Sequence, residues 1–310
     1  MYIMKLKPAF KDYLWGGTRL RDDYGLDCDL DIIAEGWMLS CHKDGNSVIE
    51  NGKFQGLTLR EAIEKSETSI IGTNAEEFED FPILIKLIDA KQNLSIQVHP
   101  DDEYALKVEH EFGKTEMWYV VDCEEGSYLY YGFKEETSKE QFKSAIKNNT
   151  LTDILNKVEV KKGDCFFIES GTVHAIGAGL LIAEIQQNSN TTYRVYDYGR
   201  VGADGKPRQL HTEKALEVTV TAPPKYPVLH ATDDLETTLA DCKYFKVKKH
   251  NLNGNIEINV DSTSFSSLLC VEGQCAVGDV EIKAGECVFI PANFGSVIIS
   301  GNAELLESRV

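Results

Sequence analysis

Two short stretches, Gly163-Asp164-Cys165-Phe166-Phe167-Ile168 and Gly285-Glu286-Cys287-Val288-Phe289-Ile290, repeat the same order of glycine, acid, cysteine and apolar residues at a constant offset of 122. Each reads as a tight turn at the glycine followed by a short apolar strand. A repeat of short strands joined by glycine turns predicts a mainly β fold of two antiparallel jelly-roll barrels. Helix signals are few and short: a capping box at Thr58-Leu59-Arg60-Glu61, acids at Asp101-Asp102-Glu103, a start at Thr137-Ser138 and a cap at Thr212. These helices are expected to decorate the sheets. With 310 residues the chain holds one large or two ordinary domains. The proline-rich segment Thr221-Ala222-Pro223-Pro224-Lys225-Tyr226-Pro227 is the clearest linker, giving expected domains 1–227 and 228–310.

One strand of the first copy carries a polar face. In Ser95-Ile96-Gln97-Val98-His99-Pro100, alternation puts Ser95, Gln97 and His99 on one side and Ile96 and Val98 on the other. Three polar groups in a row are costly in a core unless something polar is bound there. Gln97 and His99 offer an amide oxygen and an imidazole nitrogen to a metal ion, and Glu116, in the strand-like stretch 114–121, adds a carboxylate. A divalent ion needs a further ligand. His174, which starts a strand after the turn at Gly171, is the candidate. Carried across the offset of 122, His174 lands on Ser296, so the second copy is expected to bind no metal and to serve the structure.

Lysine and arginine number 32 against 50 aspartates and glutamates, a formal net charge of -18. So acidic a surface repels nucleic acid and anionic membranes, and neither is expected as a partner. A small anionic substrate would need a locally basic pocket. No apolar run approaches the ~20 residues of a membrane span, and the first residues lack a signal peptide's apolar core, so a cytoplasmic location is expected. The eight scattered cysteines read as reduced, small buried residues.

Lys86 interrupts the apolar strand Phe81-Pro82-Ile83-Leu84-Ile85-Lys86-Leu87-Ile88-Asp89-Ala90, and reads either as reaching an exposed face or as buried beside an anion. The stretch 180–200 concentrates amides, aromatics and arginines, which solvated loops seldom do. Alternation sets Glu184 with Ile182 and Gln186, and Arg194 with Thr192 and Tyr196. A strand, a tight turn and a returning strand would put Glu184 and Arg194 on one pocket wall; a plain ion pair is the alternative for each. Trp15, before the Gly16-Gly17 turn, reads either as a core tryptophan or as a residue held at the site.

The motifs Gln97-x-His99, Lys114-x-Glu116-Met117, Gly171-x-x-His174 and Asn190-Thr191-Thr192-x-Arg194, with Tyr13-x-Trp15-Gly16 ahead of them, resemble those of the type I phosphomannose isomerases of the cupin superfamily, in their short bacterial form. The resemblance implies two cupin barrels, one zinc ion per chain, and interconversion of mannose 6-phosphate and fructose 6-phosphate. It implies Gln97, His99, Glu116 and His174 as zinc ligands, Arg194 as an active-site arginine, Ser95 and Lys114 near the substrate phosphate, and Glu184 as an acid of the pocket. Trp15, Lys86 and Asn190 join the expected substrate-binding set. Two features depart from the family. Only 58 residues (174 − 116) separate Glu116 from His174, so the helical domain that longer members insert is missing. Asn190 stands where other members carry an aspartate considered for proton transfer, which leaves the base unassigned.

The residue types suit this chemistry on their own. Moving a carbonyl between neighbouring carbons passes through an enediolate, whose negative oxygens a metal ion can stabilise. Lysine or glutamate can shuttle the proton, and arginine can hold phosphate or developing charge. A non-enzymatic sugar-binding or metal-sensing cupin is the alternative, and isomerisation of another phosphosugar is an enzymatic one. The polar second set of Lys114, Glu184 and Arg194 favours an enzyme, because a structural metal site needs none of them. A monomer or weak homo-oligomer is expected.

Overall fold

The computed structural model describes residues 1–202, 205–230 and 232–310. In spatial order, a six-stranded antiparallel sheet runs Cys165–Ile168, Glu116–Cys123, Leu180–Gln187, Ile83–Ala90, Glu35–Leu39 and Ala9–Lys11. A five-stranded antiparallel sheet runs Leu155–Glu159, Tyr128–Phe133, His174–Ile176, Ile96–Val98 and Tyr193–Tyr196. One apolar cluster joins Ile88, Trp118, Val120 and Ile182 of the first sheet to Leu129, Tyr131 and Ile176 of the second, so the two face each other as the walls of a barrel.

Strand alternation divides the six-stranded sheet cleanly. Met117, Tyr119 and Val121, Leu181, Ala183 and Ile185, and Ile83, Ile85 and Leu87 all turn outward into one large cluster. That cluster also holds Phe245, Phe265, Phe289 and Leu306 from the C-terminal half, so the sheet is buried on both faces. This is why its strands read as unbroken apolar runs. The charged residues Lys86, Glu116 and Glu184 in those runs stand on the inward face, whereas Asp89, opposite Leu181, stands on the other. The outer face of the other sheet presents Ile96, Val98, Tyr193 and Val195 to Phe142, Leu151 and Ala215 of the short helices, the decorating role expected of them.

The C-terminal sheet runs Glu236–Asp241, Lys246–Val260, Gly295–Arg309, Ser266–Val277, Cys287–Ile290, and then takes in Met4–Lys7 and Val48–Ile49 from the N-terminal half. Its own interior is a second apolar cluster around Leu252, Leu268, Val288 and Leu305. The offset of 122 holds in three dimensions: Cys165–Ile168 and Cys287–Ile290 are both strands, each entered from a glycine with φ of 87° or 86°. That left-handed conformation costs glycine nothing.

Two local expectations need correcting. Glu184 and Arg194 do not lie on a hairpin: their strands belong to the two facing sheets, because the chain crosses the barrel between Gln187 and Tyr193. The last helix, Thr212–Val218, has His211 rather than Thr212 at its N-cap. The His211 ring Nδ1 accepts from the Arg194 backbone N–H at 3.2 Å, and the His211 backbone N–H donates to the Arg194 carbonyl at 2.7 Å, which ties this helix to the Arg194 strand.

Candidate active site

Two polar rows face each other across the barrel. In the five-stranded sheet, Gln97 is directly opposite His174 on one neighbour and Arg194 on the other, so the three side chains share a face. In the six-stranded sheet, Glu184 is opposite both Trp118 and Lys86, and Lys86 is opposite Trp37. Between the rows lies a cavity of about 290 Å³, whose wall includes Trp15, Ser95, Gln97, Asn190 and the four cations Lys86, Lys114, Arg194 and Arg208 against the two carboxylates Glu35 and Glu184. The lining is thus net cationic inside a protein of charge -18. A larger cavity of about 450 Å³ between Lys5, Gln274 and Ser300 lacks such a convergence, and we assign the site to the smaller one.

Behind Gln97 and Lys114, His99, Glu116 and His174 are all buried, with one ligand atom from each within 4.8 Å of the others. The two histidines fix their own tautomers. His99 Nδ1 lies 2.9 Å from the Thr191 carbonyl and His174 Nδ1 2.8 Å from the Thr172 carbonyl. A carbonyl only accepts, so both Nδ1 atoms carry the proton and both Nε2 atoms are bare lone pairs. Those lone pairs face each other at 3.1 Å, and Glu116 Oε1, 3.3 Å from His174 Nε2, has no hydrogen-bond donor. Three converging acceptors, with Glu116 Oε1 left without a hydrogen-bond partner, suit a divalent cation, and the backbone contacts of the two Nδ1 atoms are what orients histidine ligands. Burial and the charge on Lys114 press the His174 pKa down to about 3 and that of His99 well below its ordinary value, so both stay neutral, as ligands must. Burial, reinforced by Glu184, pushes the Glu116 carboxyl up.

Lys114 joins this group to the cavity. Its Nζ lies 3.1 Å from His99 Nε2, pairs with Glu116 Oε2, and is 3.8 Å from Glu184 Oε1. Lys86 is buried beside anions, Glu184 at 3.0 Å and Glu35 at 3.7 Å, which decides between its two readings. Burial alone raises the Glu184 carboxyl, but Lys114, Lys86 and the Trp118 indole N–H at 2.8 Å outweigh it and hold the group ionised well below the carboxylate range. Glu184 thus both pairs with Lys86 and lines the cavity. Arg194 instead donates to neutral acceptors, Ser95 Oγ at 3.3 Å and the Gln209 carbonyl at 3.0 Å. Asn190 Nδ2 donates to Asp44 Oδ2 at 3.0 Å. Trp15 satisfies both of its readings, packing with Tyr13 in the core cluster and lining the cavity.

All the residues expected at the site meet here, either on the cavity wall or in the buried group behind it. Three contributors escaped the sequence. Glu35 was a lone acid in an apolar strand, and that isolation was a usable signal. Trp118 supplies its indole N–H to Glu184. Arg208, in a segment without periodicity, reaches the cavity wall, held by Asp197 through Nε at 2.7 Å and Nη2 at 2.6 Å. Arg200 binds Asp197 and the Asn93 carbonyl.

Comparison with known proteins agrees with this geometry. Residues 3–127 match the family model for the phosphomannose isomerase type I catalytic domain, and residues 235–310 that for the mannose-6-phosphate isomerase cupin domain. The chain is 40% identical over 313 residues to mannose-6-phosphate isomerase ManA of Bacillus subtilis, covering 98% of both chains. It is 37% identical over 310 residues to the mannose-6-phosphate isomerase of Streptococcus mutans, covering 98% of this chain and 97% of that one. Its fold superposes on the crystal structure of the mannose 6-phosphate isomerase from Bacillus subtilis with a TM-score of 0.90 at 34% identity, covering 100% of both chains. The chain belongs to the type I phosphomannose isomerase family and is an isomerase built on the cupin fold.

Proposed function

We propose that the protein interconverts mannose 6-phosphate and fructose 6-phosphate with one zinc ion held by Gln97, His99, Glu116 and His174. The single observation that carries this reading is the meeting of three acceptors, His99 Nε2, His174 Nε2 and Glu116 Oε1, the last without a hydrogen-bond partner, at the back of a net cationic cavity. When bound there, zinc supplies Lewis-acid stabilisation of the oxygens on which negative charge develops.

The remaining steps fall to the chain's own residues. Isomerisation moves one proton between adjacent carbons, which needs a group able to give and take it. We assign this to Lys114 Nζ, which lines the cavity and lies between the Glu116 and Glu184 carboxylates. That depth, beside His99, favours the proton role for Lys114 over a phosphate contact. Glu184, held ionised by Lys86 and Trp118, is the fixed charge that orients it. Arg194, beside Gln97 in the ladder, stabilises charge on the reacting oxygens, while Arg208 and Ser95 hold the phosphate from the rim. Trp15 and Asn190 complete the wall that orients the sugar.

In this reading residues 1–227 form the catalytic domain, and 228–310 a cupin domain without metal whose role is to cover the outer face of the six-stranded sheet. Among the described residues no helix is long and apolar enough to cross a membrane, in keeping with a cytoplasmic enzyme of sugar phosphates. A coupled assay of the purified protein with mannose 6-phosphate, before and after chelation and on adding zinc back, tests the proposal. Turnover that survives complete removal of metal would overturn the metal-dependent reading.

A further inference from the structure

The loop that carries Lys114 is pinned from both sides by one carboxylate. Asp102, the first residue of the helix Asp102–Val108, accepts at Oδ1 from the Gly113 backbone N–H at 2.9 Å and from Gln187 Nε2 at 2.8 Å. Gln187 in turn accepts at Oε1 from the Thr115 N–H at 2.8 Å. The backbone N–H groups on either side of Lys114 therefore lead back to the same side chain. Gly113 lies against the Asp101 and Asp102 backbone so closely that a Cβ would collide with it, so the loop has no slack at this point. The other oxygen, Oδ2, accepts from the Tyr244 hydroxyl at 2.8 Å, and Tyr244 belongs to the C-terminal half of the chain, between Glu236–Asp241 and Lys246–Val260.

We propose that Asp102 is a positioning residue for the isomerase, fixing the backbone from which Lys114 and Glu116 reach the metal group, and that Tyr244 extends this control to the C-terminal barrel. This rests on the roles proposed above for Lys114 and Glu116. The barrel expected to serve structure alone thereby acts on the reaction through one hydroxyl. A carboxylate bridging a tyrosine, a glutamine and a backbone N–H has one orientation that satisfies all three, so losing any of them frees the loop.

The test compares Asp102→Ala, Tyr244→Phe, Lys114→Ala and the double variant Asp102→Ala/Lys114→Ala in kcat/KM for mannose 6-phosphate and in retention of zinc against a competing chelator. Asp102→Ala should lower both zinc affinity and kcat/KM by about 10–100-fold, the range for outer-shell groups and small misplacements. At saturating zinc, where the loss through Glu116 is offset, the double variant should be no slower than Lys114→Ala, because a mispositioned residue that is absent costs nothing more. Asp102→Asn keeps an acceptor for Gly113 and Gln187 and should recover most of the loss. Wild-type zinc retention and kcat/KM in Asp102→Ala, or losses that multiply in full in the double variant, would overturn the proposal. If Asp102→Ala does not fold, Tyr244→Phe decides: reduced values support positioning, and wild-type values for both overturn it. Wild-type turnover in Lys114→Ala would instead overturn the role given to Lys114, with zinc retention still reporting on Asp102 through Glu116.

Discussion

Replacing Glu184 by glutamine should separate what the buried charge network does for stability from what it does for catalysis. Glutamine keeps the shape and can still accept from the Trp118 indole, so what is removed is one negative charge 3.0 Å from Lys86. Burial pulls the Lys86 pKa down, and it is Glu184, then Glu35, that holds the ammonium charged above its ordinary value. After the substitution Glu35 remains, at 3.7 Å. Breaking a buried pair by removing one partner costs about 3–5 kcal/mol. With about 2.1 cal/mol/K of unfolding entropy per residue over 310 residues, near 650 cal/mol/K in all, about 4 kcal/mol lowers Tm by ~6 °C. Scanning calorimetry of Glu184→Gln reads this directly. The double variant Lys86→Met/Glu184→Gln removes the stranded ammonium along with its partner and should regain most of the lost Tm without regaining turnover. A single variant within about 1 °C of wild type, where a loss of ~6 °C is expected, would refute the account of Lys86 as a buried cation dependent on Glu184.

Three further outcomes are expected. His99→Ala and His174→Ala should each lose the metal on elemental analysis, and full occupancy in either would remove that residue from the ligand set. Arg194→Lys keeps the charge but loses the planar donor fork, and should lower kcat by ~10²–10³ with KM nearly unchanged, whereas Arg208→Ala should chiefly raise KM; wild-type kinetics in Arg194→Lys would leave that residue without a role in the reaction. Glu111 accepts from His42 Nε2 at 3.0 Å and from Thr191 Oγ1 at 2.8 Å, contacts that overcome partial burial and hold its carboxyl down at about 2. Its folded-state pKa lies below the unfolded value of about 4.3, so the stability it adds is present above that pH and is lost as pH falls toward 2. Glu111→Gln should therefore flatten the Tm profile between pH ~4.3 and ~2, and an unchanged acid limb would contradict this assignment.

How much of the site was legible depended on whether the pattern was local. Ser95, Gln97 and His99 could be grouped because alternation along a strand has period 2 and needs no knowledge of neighbours. Lys86 stood out because a strand buried on both faces reads as apolar throughout, so any charge in it must meet a partner. Which sheet a strand joins is set by distant hydrogen bonds. Ten residues between Glu184 and Arg194 suit a hairpin as well as they suit a crossing of the barrel, and the structure adopts the crossing because Tyr193–Tyr196 pairs with Ile96–Val98. Met4–Lys7 was equally mute: its alternation says strand, but its partner Cys287–Ile290 lies in the other half of the chain, beyond the proline-rich segment 221–227. Arg208 had no pattern at all, since Asp197 positions it through contacts between loop residues. Of the proposed metal ligands, Gln97 and His99 follow from strand periodicity, and the rest of the cavity wall from how strands are assigned to sheets. A close reading of a cupin sequence therefore recovers the candidate ligands on one strand first and the cavity residues carried by loops, such as Arg208, last.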